Sequence, residues 1–168
     1  MIVKAARAGA KPAGLLHYLY GPGKATEHVN LRTIAAWDGL PALHSPGVAP
    51  RGGPSVKAIA DALDAPVLTA EGRVPGDYVK HIVVANHADD PTLTDAQWAT
   101  IAADVMKRAG LSAGPNDPAG VRWLAVRHDD SSIHIVYTAA REDGSTKTYF
   151  NYAKAWTSCG PPMRTGSG

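Results

Sequence analysis

The sequence contains a single cysteine, Cys159. No disulfide can therefore close within the chain, and a paired-thiolate zinc site is excluded. One thiol fits a reducing compartment, so a cytoplasmic location is the expectation. No apolar run approaches the roughly 18 residues that a membrane-spanning helix needs. The opening Met1-Ile-Val-Lys-Ala-Ala-Arg7 lacks the apolar block of a secretory signal. A phosphate-loop fingerprint, a Gly-x-Ser-x-Gly nucleophile elbow and internal repeats are all missing. Acidic residues are absent from one whole segment. Lys4, Arg7, Lys11 and Lys24 precede the first carboxylate, Glu27. The overall balance, 17 Lys and Arg against 15 Asp and Glu, is nearly neutral. Charge thus permits a nucleic-acid partner at the basic N-terminal segment without requiring one; the alternative is an ordinary solvated surface.

An apolar fraction of 45% in 168 residues supports one domain with a real core. Residues 1–6 read as a strand. A helix follows from near Pro12, with Leu15, Leu16, Leu19 and Tyr20 in one arc and Tyr20-Gly-Pro-Gly23 ending it. Residues 29–37 suit either a strand or a short helix. Residues 39–54, rich in Gly and Pro, form a loop whose Arg51-Gly-Gly53 either wraps a ligand or merely connects. Ser55 is a candidate N-cap for a helix through Leu63, and residues 78–86 form a strand. Thr94 caps a helix that stops at Gly110, with Trp98, Ile101, Ala102 and Val105 at helical spacing. After a loop over 112–120, strands 121–128 and 132–141 make a hairpin through Asp129-Asp130-Ser131. Residues 150–158 suit a last helix, and 160–168 a disordered tail. The expected fold class is α/β in the α+β sense, with helices around a central antiparallel sheet.

The densest polar cluster is Arg127-His128-Asp129-Asp130-Ser131-Ser132-Ile133-His134. If His128 and His134 face each other across the hairpin, alternation places both on one side of the sheet. Ser132 then lies beside them, with Ile133 and Ile135 on the other side. Two imidazoles on adjacent strands suit a divalent metal, although structural or surface histidines are the commoner outcome. Tyr20 belongs to the buried arc of the first helix, whereas His17 and Tyr18 lie outside it. Tyr18 is either an exposed aromatic or a phenol presented to a phosphate. Because a phenol has a pKa of about 10, the second role needs a metal or a base nearby. His81 and His87 read as core or edge histidines on a common face with Val83 and Ala85. Trp98 and Trp123 read as core, with base stacking a lesser alternative for Trp123.

In this order the segments resemble the relaxase, or mobilisation nuclease, family, and its actinobacterial branch in particular. The resemblance runs through Gly14-Leu-Leu-His-Tyr-Leu-Tyr-Gly-Pro-Gly23, Glu27-His28 and Ala36-Trp-Asp-Gly39. It resumes over 93–110 and is sharpest at Arg122-Trp-Leu-Ala-Val-Arg-His128 and 130–136, with Asn151-Tyr152 to Cys159 similar to the start of a following helix. The resemblance implies an HUH-endonuclease-like fold over residues 1–159. It also implies a nickase that cuts one strand at a transfer origin and stays attached to the 5′ phosphate through tyrosine. Tyr18 is then the nucleophile. His128 and His134 hold Mg²⁺ or Mn²⁺, and Asp130 is the motif aspartate that orients His128 or assists deprotonation. The middle histidine of the family's His-x-Asp-x-His-x-His pattern falls on Ser132, a weak neutral ligand that Asp129, Asp130 or His81 would have to supplement. Lys4, Arg7, Lys11, Lys24 and Arg127 are the expected DNA contacts. The implied partners are single-stranded origin DNA and accessory mobilisation or coupling proteins, with the protein itself a monomer. The alternative is a degenerate relaxase fold that binds origin DNA or partner proteins without cutting; a third, hydrolysis by water, would leave no covalent intermediate.

Overall fold

A computed structural model describes residues 1–21 and 30–146. The expected last helix, the tail, Lys24 and the Glu27-His28 pair lie outside the described residues. The fold is mixed α+β. Among the described residues, five antiparallel strands form one sheet in the order β1-β5-β7-β6-β2, with three helices packed on it. These strands are β1 (Ile2–Ala5), β2 (Arg32–Ala36), β5 (Val79–Ala85), β6 (Val121–Arg127) and β7 (Ser132–Arg141). The two-residue β3 (Gly47–Val48) and β4 (Pro54–Ser55) pair with each other inside the Gly/Pro-rich loop, after a 3-10 turn at Pro41–His44. Among the described residues, no helix is long and apolar enough to cross a membrane.

The ambiguous segment before Trp37 is a strand, because β2 finds a partner edge in β6. A local pattern could not supply that information. The helices are α1 (Pro12–Tyr20), α2 (Lys57–Leu68) and α3 (Asp95–Arg108). α2 departs from expectation at both ends. Ser55 belongs to β4, the cap position is Val56 without a side-chain hydrogen bond, and the helix runs past Leu63 to Leu68. It includes Pro66, whose ring nitrogen has no hydrogen to give the Ala62 carbonyl. Arg122 Nη1 donates to that carbonyl instead, at 2.7 Å.

α3 begins as its sequence dictates. Thr94 Oγ1 accepts from the Gln97 amide at 3.2 Å, and Gln97 Oε1 accepts from the Thr94 amide at 2.9 Å. This reciprocal capping satisfies two amides that the helix cannot. Thr94→Ala should cost about 1 kcal/mol, read as a lowered urea midpoint with an unchanged slope. At the other end Gly110 takes φ +71°, the left-handed conformation that a side chain would resist.

The sheet separates two cores. Ile133, Ile135 and Tyr137 of β7 point to the α3 side, where they join Trp98, Ala102, Val105 and Met106. Val136 points to the α1/α2 side, with Leu124, Val126, Leu16, Leu19, Ile59 and Leu63. Thr138 confirms this facing, since its hydroxyl donates to the Leu63 carbonyl of α2 at 2.8 Å. The period-2 alternation of a strand covered on both faces thus carries different chemistry to each side. The histidines fall on the α1/α2 side.

Candidate functional site

β7 is the central strand, and His134 stands opposite Val126 of β6 and Val83 of β5. Beyond the end of β6, His128 continues the same alternation as Val126. His128 and His134 therefore share a face, offset diagonally rather than directly opposed. Ser132 also lies on this face, and Ile133 and Ile135 lie on the other. His81 of β5, opposite Val136, completes a row of three imidazoles across three strands. His134 is the middle member: its Nδ1 is 2.8 Å from His81 Nε2, and its Nε2 is 2.5 Å from His128 Nε2. The ring planes are inclined at 30° and 33°, with centroids 5.0 Å and 4.4 Å apart. All three are buried.

In sequence, His81 reads as a satisfied core or edge residue sharing a face with His87. The structure separates the two: β5 ends at Ala85, His87 is exposed, and His81 joins the histidine row. Burial, reinforced by the neighbouring His128, pushes the His81 pKa down to about 4. Its ring is therefore neutral at pH 7, the form in which imidazole binds a cation. The strand alternation of 79–85 places His81 on a face. Only the β5–β7 pairing, 53 residues apart in sequence, says which neighbours it meets.

Of the two hairpin aspartates, Asp129 rather than Asp130 lies beside His128. Asp130 is solvent-exposed and lies 3.4 Å from Arg127 Nη2. Asp129 lies 3.5 Å from His128 Nδ1 and shapes the hairpin turn. Its Oδ1 accepts from the amides of Ser131 and Ser132 at 2.8 and 2.7 Å, and its Oδ2 accepts from Ser132 Oγ at 2.9 Å. Burial opposes ionisation of Asp129, but the Ser132 hydroxyl and the two amides outweigh it and hold the carboxyl below its ordinary value. The sequence signal was available, since an Asp followed by Ser-Ser can fold back on the amides two and three residues on. Asp129→Ala should cost about 1–2 kcal/mol, and Asp130→Ala less than about 0.5, by urea unfolding. Equal losses would contradict the assignment of the turn contacts to Asp129. Ser132 spends its hydroxyl proton on Asp129.

Arg127 faces the opposite side of the sheet. It is buried, with Nη1 2.7 Å from Asp95 Oδ1 and Nε donating to the Asp129 carbonyl at 2.9 Å. Asp95 also takes a bidentate pair from Arg32, at 2.6 and 2.8 Å. This Arg–Asp–Arg cluster ties α3 to β2 and β6, and the expected DNA contact at Arg127 is replaced by that structural engagement. Lys4, Arg7 and Lys11 are exposed. Lys4 pairs with Val83, so it shares a rung and a face with His134.

The two tyrosines of α1 divide cleanly. Tyr20 is buried, and its hydroxyl donates to Thr33 Oγ1, which itself donates to the His44 carbonyl. Burial raises the Tyr20 pKa to about 12, only partly offset by Thr33. Thr33 pairs with Val126, which pairs with His134. The end of α1 is therefore anchored two strands from His134, about 10 Å at ordinary strand spacing. Tyr18, two residues earlier, is 49% exposed and lies off the buried arc. Because the folded pKa of Tyr20 is raised, its contribution to stability should be complete below about pH 10. That contribution is then lost as pH rises through about 12. Tyr20→Phe should remove this component of alkaline unfolding.

The donors fit a divalent cation in kind, as neutral imidazoles on one face. Nitrogen donors favour a transition ion such as Mn²⁺ over Mg²⁺, which prefers oxygen. As packed, however, the rings bond to one another, and no group of three or more His, Cys, Asp or Glu among the described residues converges as a metal site. Comparison with family models, with curated proteins and with solved structures finds no match to this chain in any of the three.

Proposed function

We propose that the chain is the nicking domain of a mobilisation relaxase, with an HUH-like sheet, that acts on single-stranded DNA at a transfer origin. The reading rests on one observation: a row of three buried imidazoles on the sheet face against which the tyrosine-bearing α1 packs. The Tyr18 phenol loses its proton and its oxygen forms a bond to the scissile phosphorus. The bond from phosphorus to the 3′ oxygen breaks, and the departing oxygen takes up a proton. The products are a 3′ hydroxyl and a 5′ phosphotyrosyl link. His128, His134 and His81 would hold Mn²⁺ or Mg²⁺, which when bound neutralises charge on the phosphate oxygens. Asp129 positions His128, and exposed Lys4, Arg7 and Lys11 meet the backbone phosphates. Incubation with Mn²⁺ and a randomised single-stranded DNA library should give a protein–DNA adduct stable in detergent. Failure to capture any strand, with binding retained, would sink the nuclease reading.

That outcome would instead support a relaxase fold that binds origin DNA without cutting. The direct imidazole–imidazole contacts and the engagement of Ser132 with Asp129 favour this second reading. Ser132→His distinguishes the two, because a weakened nuclease should gain activity from it and a binding module should remain inert.

A further inference from the structure

We propose that Asp95 and Arg127, on the α3 side of the sheet, are positioning residues for the histidine row on the opposite side. They act through Asp129, a residue held from both faces. Arg127 is 4% exposed and donates from Nε to the Asp129 carbonyl at 2.9 Å. The carboxylate of the same residue lies on the histidine side, with Oδ2 3.5 Å from His128 Nδ1. A buried guanidinium can hold that carbonyl only while its own charge is matched. Asp95, at the start of α3, supplies the match, with Oδ1 2.7 Å from Arg127 Nη1. Asp130 Oδ1 is farther away, at 3.4 Å. The two Asp95 oxygens take three N–H groups in all, since Arg32 Nε and Nη2 also donate to them, at 2.6 and 2.8 Å.

Through Asp129 these residues set the order of protons along the row. A neutral imidazole carries one ring proton, and the contacts His128–His134 and His134–His81 need one proton each. Two arrangements satisfy both contacts, and they run in opposite directions. In the first, His128 carries its proton on Nδ1, while His134 and His81 carry theirs on Nε2. In the second, His134 and His81 carry theirs on Nδ1, and His128 carries its proton on Nε2. His128 then turns a bare Nδ1 lone pair toward the Asp129 carboxylate. A negative charge 3.5 Å away selects the first arrangement, with no net proton gained or lost. His128 thereby keeps its Nε2 lone pair directed into the row, as a cation ligand must. That use of the lone pair rests on the nuclease reading; the proton order does not.

The test is the imidazole ¹H–¹⁵N spectrum of the metal-free, full-length chain at about pH 8, above the ordinary imidazole pKa of about 6.5. His128, assigned with His128→Gln, should show a pyrrole-like Nδ1 and a pyridine-like Nε2. Asp95→Asn leaves one oxygen for three N–H groups, so both proton orders become populated and the two His128 nitrogen shifts should move toward each other. Arg127→Lys, which keeps the charge and loses the fork, should do the same. Arg32→Lys is the control. Arg32 shares Asp95 but gives its remaining donor to the Asn30 carbonyl and not to the hairpin turn, so Tm should fall while the His128 shifts stay in place. On an Asp129→Asn background, Asp95→Asn should move the His128 shifts no further. A pyridine-like Nδ1 in the unaltered chain would overturn the proposal. So would His128 shifts that hold still in Asp95→Asn and Arg127→Lys, that move equally in Arg32→Lys, or that move again on the Asp129→Asn background. Neither metal nor DNA enters the measurement, so a negative result here is distinct from a failure to form the adduct.

Discussion

Tyr18→Phe is expected to remove the covalent protein–DNA adduct completely, while Tyr20→Phe leaves it in place. The two residues lie two positions apart on the same short helix, yet their phenols occupy opposite environments. Tyr20 is buried against Thr33, and its pKa of about 12 keeps it protonated at any working pH. Thr33 has already given its proton to the His44 carbonyl, so Tyr20 must be the donor in that contact. Losing the hydroxyl should cost about 1 kcal/mol of stability and no chemistry. Tyr18 is half exposed, outside the arc formed by Leu16, Leu19 and Tyr20. Phe at position 18 keeps the ring and deletes that residue's nucleophilic oxygen; an adduct that survives would point to His17 instead. Equal loss in both variants would remove Tyr18 from the mechanism.

The second large effect is expected from His134→Ala. His134 is the one imidazole that contacts both others, through different ring nitrogens. Its loss leaves His81 and His128 on non-adjacent strands, and both lose their shared partner in a buried setting. Mn²⁺ affinity, measured by the paramagnetic broadening of the remaining histidine resonances, should fall by more than about tenfold, and the adduct should disappear. Stability should fall as well, by about 1–3 kcal/mol, because a buried ring is removed and polar atoms lose partners. His87→Ala serves as the control. His87 is exposed beyond the end of β5, so affinity, adduct and stability should all stay unchanged. Parallel losses at His87 would mean that the row is not the metal-binding group.

The local chemistry of this chain was legible in its sequence, and its non-local pairings were not. Thr94, the helical period of Trp98, Ala102 and Val105, and the Asp-Ser-Ser turn each announce their structure within a few residues. The alternation of β7 correctly separated Ile133 and Ile135 from Ser132 and His134. What pattern alone could not provide was which strand lies beside which. β2 became a strand only because β6 offers it an edge. His81 entered the histidine row only because β5 pairs with β7. Arg127 illustrates the same limit from the other side. Its position beside His128 made it a candidate DNA contact, yet one step along a strand reverses the face and delivers it to Asp95. Asp129 and Asp130 differ in the same way, since neighbouring carboxylates on a turn meet different surroundings. Pro66 inside α2 ran against local propensity and is tolerated because a distant arginine serves the carbonyl it leaves unpaired.

The most direct measurement is mass spectrometry of the protein digested after reaction with Mn²⁺ and single-stranded DNA. Nucleotide mass carried on the phenolic oxygen of Tyr18 is the predicted result. Nucleotide attached at any other side chain, or a cut strand with no peptide attached to it, would contradict a reaction centre built from that phenol and the histidine row.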